Sequence, residues 1–94
     1  MLAKIKQVLR ITSDAFDDEI QDLIAAARQD LILTGVSPSL AENDEDPLIR
    51  RAITIYVKAH FGWDNPDAEQ LKRSYDLLKM HLTLSAEYTG VGEP

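Results

Sequence analysis

Apolar residues recur at helical spacing along most of the chain, and they are densest in Pro47–Trp63, PLIRRAITIYVKAHFGW. At about 3.6 residues per turn, this stretch has apolar residues on two faces of a helix. A surface helix needs only one apolar stripe, so the pattern predicts a central helix that its neighbours surround. The first stripe comprises Ile49, Ile53, Tyr56, Val57 and His60, and the second comprises Leu48, Ala52, Ile55 and Ala59.

The segment Ile53–Val57 also fits a buried strand, because it is rich in β-branched and aromatic residues. Two features favour the helix. The apolar pattern continues from Leu48 to Phe61, which is longer than a typical strand. The pattern also follows Asp46 and Pro47, a carboxylate placed to cap free N–H groups and a proline suited to the first helical position.

Three further helices are predicted around the central one. Leu2–Leu9 is a short amphipathic helix that must dock on the others, because a helix of this length is unstable alone. Phe16–Thr34 has one apolar face and ends before Gly35, a residue suited to a helix C-terminus. Pro66–Leu84 has one continuous apolar seam and a partial second stripe. The predicted core comprises Ile20, Leu23, Ile24, Ala27, Leu31, Ile49, Ile53, Tyr56, Val57, Leu71, Tyr75, Leu78 and Leu82.

The pattern defines an all-α fold, a small bundle of about four helices with a mobile C-terminal tail. The single domain spans residues 1–84, and Val36–Asp46 is its longest loop. Residues 85–94 contain two glycines and end in a proline, which predicts a flexible tail. Truncation after Leu84 is therefore expected to leave the fold intact and to weaken contacts with other molecules.

Composition excludes several classes of protein. There are no cysteines, which rules out disulfides and cysteine-based zinc sites. No apolar run approaches the roughly 18 residues of a membrane span, and Met1–Ile11 lacks a signal-peptide core, so no membrane association is expected. The net charge of −6 argues against a general nucleic-acid binder, which needs a cationic surface.

Acidic residues lie in two segments. One is the start of the second helix, where the helix dipole favours anions. The other is a run in the long loop that lacks the glycine and the distal glutamate of an EF-hand calcium loop. Both fit solvated surface, and both also fit an acidic face towards a partner or passing DNA. The candidate acids are Asp17, Asp18, Glu19, Asp22, Glu42, Asp44, Glu45 and Asp46.

Catalytic chemistry is not indicated. His60 and His81 are the only histidines, and the single pairing at metal-ligand spacing, His60 with Asp64, is weak. There is no nucleophile elbow and no glycine-rich phosphate loop. The third and fourth helices both start beside acids, which would repel phosphates from a helix-turn-helix reader. No enzyme activity, metal or cofactor is therefore expected.

A few apolar and aromatic residues are candidates for an interface. Trp63 is either a cap on the edge of the core or an aromatic anchor for a partner. The partial second stripe of the fourth helix offers more apolar surface than one helix contact requires. The second stripe of the central helix is covered either by the fourth helix or by another subunit. The candidate interface residues are Trp63, Leu77, His81, Leu84 and Tyr88.

The helical layout, from about Leu2 to Tyr88, resembles the head–tail connector (head-completion adaptor) family of long-tailed bacteriophages and their prophage relatives. The first helix ends in LRI, and Ala52–Gly62 reads AITIYVKAHFG. After a polar break the next helix reads LKRSYDLLKMHL. The most specific pieces are Tyr56–Gly62 and the later SYD tripeptide.

The resemblance implies a small α-helical virion protein without catalytic activity. Family members form a ring, commonly of about a dozen copies, beneath the portal at the capsid vertex. The implied partners are copies of the same chain, the portal protein and the next head-completion or tail protein. DNA passes through the ring without sequence-specific binding, and acids lining the channel would keep it from adhering. The implied location is the head–tail junction of the virion, after production in the bacterial cytoplasm.

An alternative function also fits the composition. A small acidic regulatory module would bind a host protein or mimic the charge of DNA. It would form a one-to-one complex with a cellular protein and no rings. An enzyme is the least supported class, because no catalytic constellation is present in the sequence.

Overall fold

A computed structural model describes residues 1–62 and 65–90 of the chain. This part of the chain is helical, without strands, which confirms the predicted all-α fold. Four long helices correspond to the four predicted ones, and two short helices, α3 and α6, lie in segments predicted as loop and tail. The helices are α1 (Leu2–Leu9), α2 (Asp17–Thr34), α3 (Pro38–Ala41), α4 (Pro47–His60), α5 (Ala68–Thr83) and α6 (Ala86–Thr89).

Local interactions define where α4 begins and where α2 ends. The carboxylate of Asp46 accepts hydrogen bonds from the backbone N–H groups of Leu48 and Ile49, at 2.9 and 3.1 Å. Pro47 occupies the first turn, where a missing N–H costs nothing. At the end of α2, Gly35 has a φ of 121°, a conformation that favours glycine. The capping residues predicted for both helices are therefore the ones the structure uses.

Helix α4 is the centre of the domain, and it packs most extensively against α5 and α2. In its first stripe Ile49, Ile53 and Val57 are fully buried, Tyr56 is partly buried and His60 is exposed. Ala52 and Ile55, from the second stripe, are also buried by the chain itself. Only Leu48 of that stripe remains substantially exposed, at 42%. The second stripe of α4 is therefore mainly covered by the domain's own helices.

The predicted core residues divide into two groups. Those that are buried are Ile20, Ile24, Ala27, Leu31, Ile49, Ile53, Val57, Tyr75 and Leu82. Those that are partly buried and pack against this core are Leu23, Tyr56, Leu71 and Leu78. The core also contains buried residues outside the predicted set, namely Ile5, Val36, Ala41, Ala52, Ile55, Ala59 and Tyr88.

The predicted loop between α2 and α4 contains helix α3. Val36 lies just before this helix and Ala41 is its last residue. Both are buried, at 1% and 0% exposure. The guanidinium of Arg28 donates hydrogen bonds to the carbonyl oxygen of Ala41 at 3.1 Å and to the carboxylate of Asp44 at 2.7 Å. These contacts hold the segment against α2, so it is a packed connection and not an open loop.

Residues 85–90, predicted to belong to a mobile tail, contact the helical domain in this structure. Tyr88 in α6 is only 9% exposed, and its hydroxyl lies 3.1 Å from both carboxylate oxygens of Asp46. Its carbonyl oxygen accepts a hydrogen bond of 2.8 Å from the N–H of Ser37. Residues 85–90 are therefore packed on the domain in this structure, because one aromatic side chain and two hydrogen bonds attach them. The rest of the predicted tail, 91–94, lies outside the described residues.

Candidate functional site

An apolar row runs along the exposed side of α5. Leu77, Met80 and Leu84 are 56%, 48% and 79% exposed. Their spacing of three and four residues places them on one helix face, away from the buried Tyr75 and Leu82. Scattered exposed leucines are ordinary on protein surfaces, but a contiguous exposed row is typical of an interaction site. We refer to Leu77, Met80 and Leu84 as the α5 apolar row.

The predicted interface residues do not all lie on this row. Leu77 and Leu84 belong to it, and His81 is exposed on the same helix. Tyr88 does not join them, because it packs into its own domain and donates to Asp46. Trp63 lies outside the described residues. Met80 was missed, although its position three residues after Leu77 extends the same stripe.

The acids at the start of α2 have different environments. Asp17 pairs with Lys6 across 2.8 Å, and Lys6 also pairs with Asp14 across 3.1 Å. The hydrogen bonds to these two carboxylates raise the pKa of Lys6. The carboxylates of Asp18, Glu19 and Asp22 are exposed and make no hydrogen bond or ion pair with the described residues. Asp17 thus anchors α1 to α2, and the other three are available to solvent or to a partner.

The acids of the second segment likewise include some with a partner in the domain and some without one among the described residues. Asp44 binds Arg28, and Asp46 both caps α4 and accepts from Tyr88. Glu42 and Glu45 are exposed, and their carboxylates have no partner among residues 1–62 and 65–90. Asp44 and Asp46 therefore stabilise the domain, which a count of acids in the sequence could not show.

A polar cluster joins α2 to α5. The hydroxyl of Tyr75 donates to the carboxylate of Asp30 at 2.6 Å, and the ammonium of Lys79 donates to it at 3.1 Å. Tyr56 stacks edge-on against Tyr75, with ring centroids 5.2 Å apart, and lies 4.3 Å from the ring of His60. The adjoining cavity has a volume of about 320 Å³. Both hydrogen bonds end on one carboxylate oxygen of Asp30, and they join α5 to α2.

The pKa values in this cluster follow from burial and pairing. Burial alone would raise the pKa of Asp30, but hydrogen bonds from Tyr75 and Lys79 outweigh it and hold that pKa below its ordinary value. Burial raises the pKa of Tyr75, and its bond to Asp30 raises it further. Burial lowers the pKa of His60, and the nearby charge of Lys72 acts in the same direction. All three shifts keep Asp30 ionised and the rings neutral near pH 7.

Replacing Asp30 with asparagine is expected to lower the free energy of unfolding by about 1–2 kcal/mol at pH 7, because both donors lose an ionised acceptor at a partly exposed site. The folded pKa of Asp30 lies below its ordinary value of 3.8. Its contribution is therefore present above that pH and is lost as the pH falls through the folded pKa. Urea denaturation from pH 7 to pH 3 measures this. If the difference in free energy of unfolding between wild type and the variant were the same at pH 3 as at pH 7, the assignment would be contradicted.

Cations gather in a groove between α1 and α4. Lys4, Arg50 and Arg51 line it, together with Val8, which is 44% exposed. The charged groups of these three side chains make no ion pair or hydrogen bond with the described part of the chain. The groove has a volume of about 430 Å³ and was not anticipated from the sequence, although the Arg50–Arg51 pair marks its position. We refer to it as the cationic groove.

The described residues contain neither a metal-binding cluster nor a membrane-spanning helix. No group of three or more His, Asp or Glu side chains within residues 1–62 and 65–90 is arranged to hold a metal ion. No helix in the same part of the chain is both long and apolar enough to cross a bilayer. The features that the structure does present are an apolar row, exposed acids and a cationic groove.

These features define a small all-α protein whose distinctive surfaces suit contacts with other proteins. The chain belongs to the phage connector protein family, whose sequence profile matches residues 1–89. Membership gives it a structural or assembly role in a phage and implies contacts with other head or tail proteins. The resemblance found in the sequence is thereby confirmed. No significant match is found among curated proteins or solved structures.

Proposed function

We propose that this protein is a non-enzymatic virion structural protein that forms a ring adaptor between the portal and the tail and extends the DNA channel. The observation that carries the proposal is the α5 apolar row, considered together with the family membership. Leu77 and Leu84 remain exposed although the domain already has a closed core around α4. In a protein of the connector family, such an exposed row is suited to attachment to neighbouring proteins in the head–tail junction.

The exposed acids support passage of DNA through the assembly. Asp18, Glu19, Asp22, Glu42 and Glu45 have no partner among the described residues, and the chain carries a net charge of −6. A channel wall of like charge prevents DNA from adhering as it moves. Sequence-specific binding is not required for this role. The proposed partners are copies of the chain, the portal protein and the next head-completion or tail protein.

Assembly on the portal tests the proposal directly. The protein alone, the portal alone and their mixture are compared by light scattering and negative-stain electron microscopy. We expect an additional ring of density on one end of the portal in the mixture. A protein that stays monomeric at high concentration and also fails to bind the portal would contradict the proposal. A one-to-one complex with a host protein, without rings, would favour the acidic regulatory module instead.

Replacing Leu77 and Leu84 together with aspartate is expected to abolish assembly on the portal and leave the melting temperature within a few degrees of wild type. Both side chains are mostly exposed, so the fold does not depend on their burial. Replacing the same two residues with methionine keeps the row apolar and is the matched control. We expect the methionine variant to assemble normally. Loss of assembly in both variants, or in neither, would rule out the α5 apolar row as the attachment surface.

A further inference from the structure

The cationic groove gathers three unpaired cations in a chain with six more acids than bases. Lys6, Arg28 and Lys79 each have a carboxylate partner in the domain. Lys4, Arg50 and Arg51 have none among the described residues, although acids outnumber bases in the chain by 16 to 10. These three cations also surround an exposed apolar side chain, Val8. A groove that combines unpaired cations with apolar surface is suited to an acidic protein segment.

The chain itself presents such a segment on the outer face of α2. The core side of this helix carries Ile20 and Ile24, which are buried against the domain. Asp18 and Asp22 are one turn apart and lie on the opposite side, where both are exposed. Ala25 continues the same face and is small enough to permit close approach of another helix. We refer to Asp18, Asp22 and Ala25 as the α2 outer face.

The two surfaces have no residue in common. Residues of α1 and α4 line the groove, and Asp18, Asp22 and Ala25 are not among them. Within one copy, neither Asp18 nor Asp22 pairs with Lys4, Arg50 or Arg51. Contact between two copies would leave one groove and one outer face unoccupied, so the contact can repeat from copy to copy.

We propose that the cationic groove of one subunit binds the α2 outer face of the next, with Arg50 and Arg51 paired to Asp18 and Asp22 of the second copy. This assignment rests on the ring adaptor proposed above and names the lateral contact within it. The α5 apolar row is then left for contacts along the axis of the junction, and Glu19, Glu42 and Glu45 are the acids left for the channel wall. DNA is the competing occupant of the groove. A second copy is favoured because Asp18 and Asp22 are exposed, have no partner among the described residues and are opposite in charge to the groove.

Charge reversal tests the pairing. The groove variant carries Arg50→Glu with Arg51→Glu, and the α2 variant carries Asp18→Lys with Asp22→Lys. Each is first shown by circular dichroism to be folded. We expect each variant alone to associate at least about tenfold more weakly than wild type, because its two surfaces now have the same charge. We expect association to return when the two variants are mixed, and when all four substitutions are combined in one chain.

Sedimentation velocity over a concentration series is the first readout, and ring formation on the portal is the second. A third variant, Glu42→Lys with Glu45→Lys, has the same charge change as the α2 variant. It should associate like wild type and should not restore association to the groove variant. If the loop variant rescues the groove variant and the α2 variant does not, the assigned partner surface is wrong.

The outcomes separate this inference from the ring adaptor. If wild type forms rings and both charge-reversed variants also form them, the lateral contact lies elsewhere and the inference fails alone. If wild type neither self-associates nor forms a ring on the portal, the ring adaptor itself fails and the inference fails with it. Binding of a short DNA duplex that the groove variant loses, with ring formation unchanged, would identify the groove as a DNA contact and overturn the proposal.

Discussion

Ile53→Asp is expected to leave the chain unfolded in buffer. Ile53 is completely buried in α4, where α2 and α5 pack on either side. A carboxylate at this position would have no partner, and burying an unpaired charge belongs to the most destabilising class of substitution, with costs above about 4 kcal/mol. A domain of this size has only about 5–14 kcal/mol of stability in total. Far-UV circular dichroism and a thermal melt measure the result.

Two matched variants separate the effect of buried charge from loss of packing and from charge alone. Ile53→Ala removes only apolar contacts and should cost about 2–5 kcal/mol in urea denaturation. Arg51→Asp places the same carboxylate on the exposed side of the same helix and should change stability by less than about 1 kcal/mol. A cooperative melt for Ile53→Asp near the wild-type temperature would show that α4 is not the centre of the core.

Much of the central helix could be predicted because its signals are local. Asp46 and Pro47 mark its start, and apolar residues at helical spacing mark its length. Gly35 marks the end of α2 for the same kind of reason, since its backbone conformation favours glycine. Caps and periodicity involve residues within a few positions of one another, so one sequence is enough to identify them.

The α3 and α6 segments could not be predicted in the same way, because distant residues stabilise them. A backbone hydrogen bond joins Ser37 to Tyr88, although the two residues are far apart in the sequence. The apolar residues of 85–90 are too few for a periodic pattern, and the nearby glycines suggested a tail. A single aromatic residue in such a segment is compatible with either packing or exposure, and only the tertiary structure distinguishes the two.

The candidate surfaces show the same division between local and distant information. The stripe of Leu77 and Leu84 was visible in the sequence, since helix periodicity alone separates it from the core face. The roles of the acids were not, because Asp44 is bound by Arg28 sixteen residues earlier. Lys4 and Arg50 form one groove only because α1 docks beside α4. The number of charged residues predicts a charged surface. Ion pairs between helices decide which of those charges remain available to a partner.

Truncation after Leu84 is expected to lower the free energy of unfolding by about 2–4 kcal/mol, which reverses the expectation from the sequence. The deletion removes the buried Tyr88 side chain and uncovers the apolar residues beneath it. It also removes a hydrogen-bond donor from Asp46, the residue that caps the central helix. Urea denaturation compares this truncation with one after Gly90, which keeps α6 and is the matched reference. Equal stability of the two truncations would mean that residues 85–90 contribute nothing to the fold.

Tyr88 should account for most of that loss. Tyr88→Ala is expected to reproduce the effect of the truncation, whereas Tyr88→Phe should cost only about 1–2 kcal/mol, towards the lower end for a hydrogen bond to a charged acceptor because the bond is only partly buried. Burial raises the pKa of Tyr88, and its bond to Asp46 acts in the same direction, which is consistent with a neutral hydroxyl that donates to Asp46. If Tyr88→Phe were as damaging as Tyr88→Ala, the hydroxyl and its contact with Asp46 would be the dominant contribution. If the alanine variant were as stable as wild type, the Tyr88 side chain would contribute nothing to the stability of the domain.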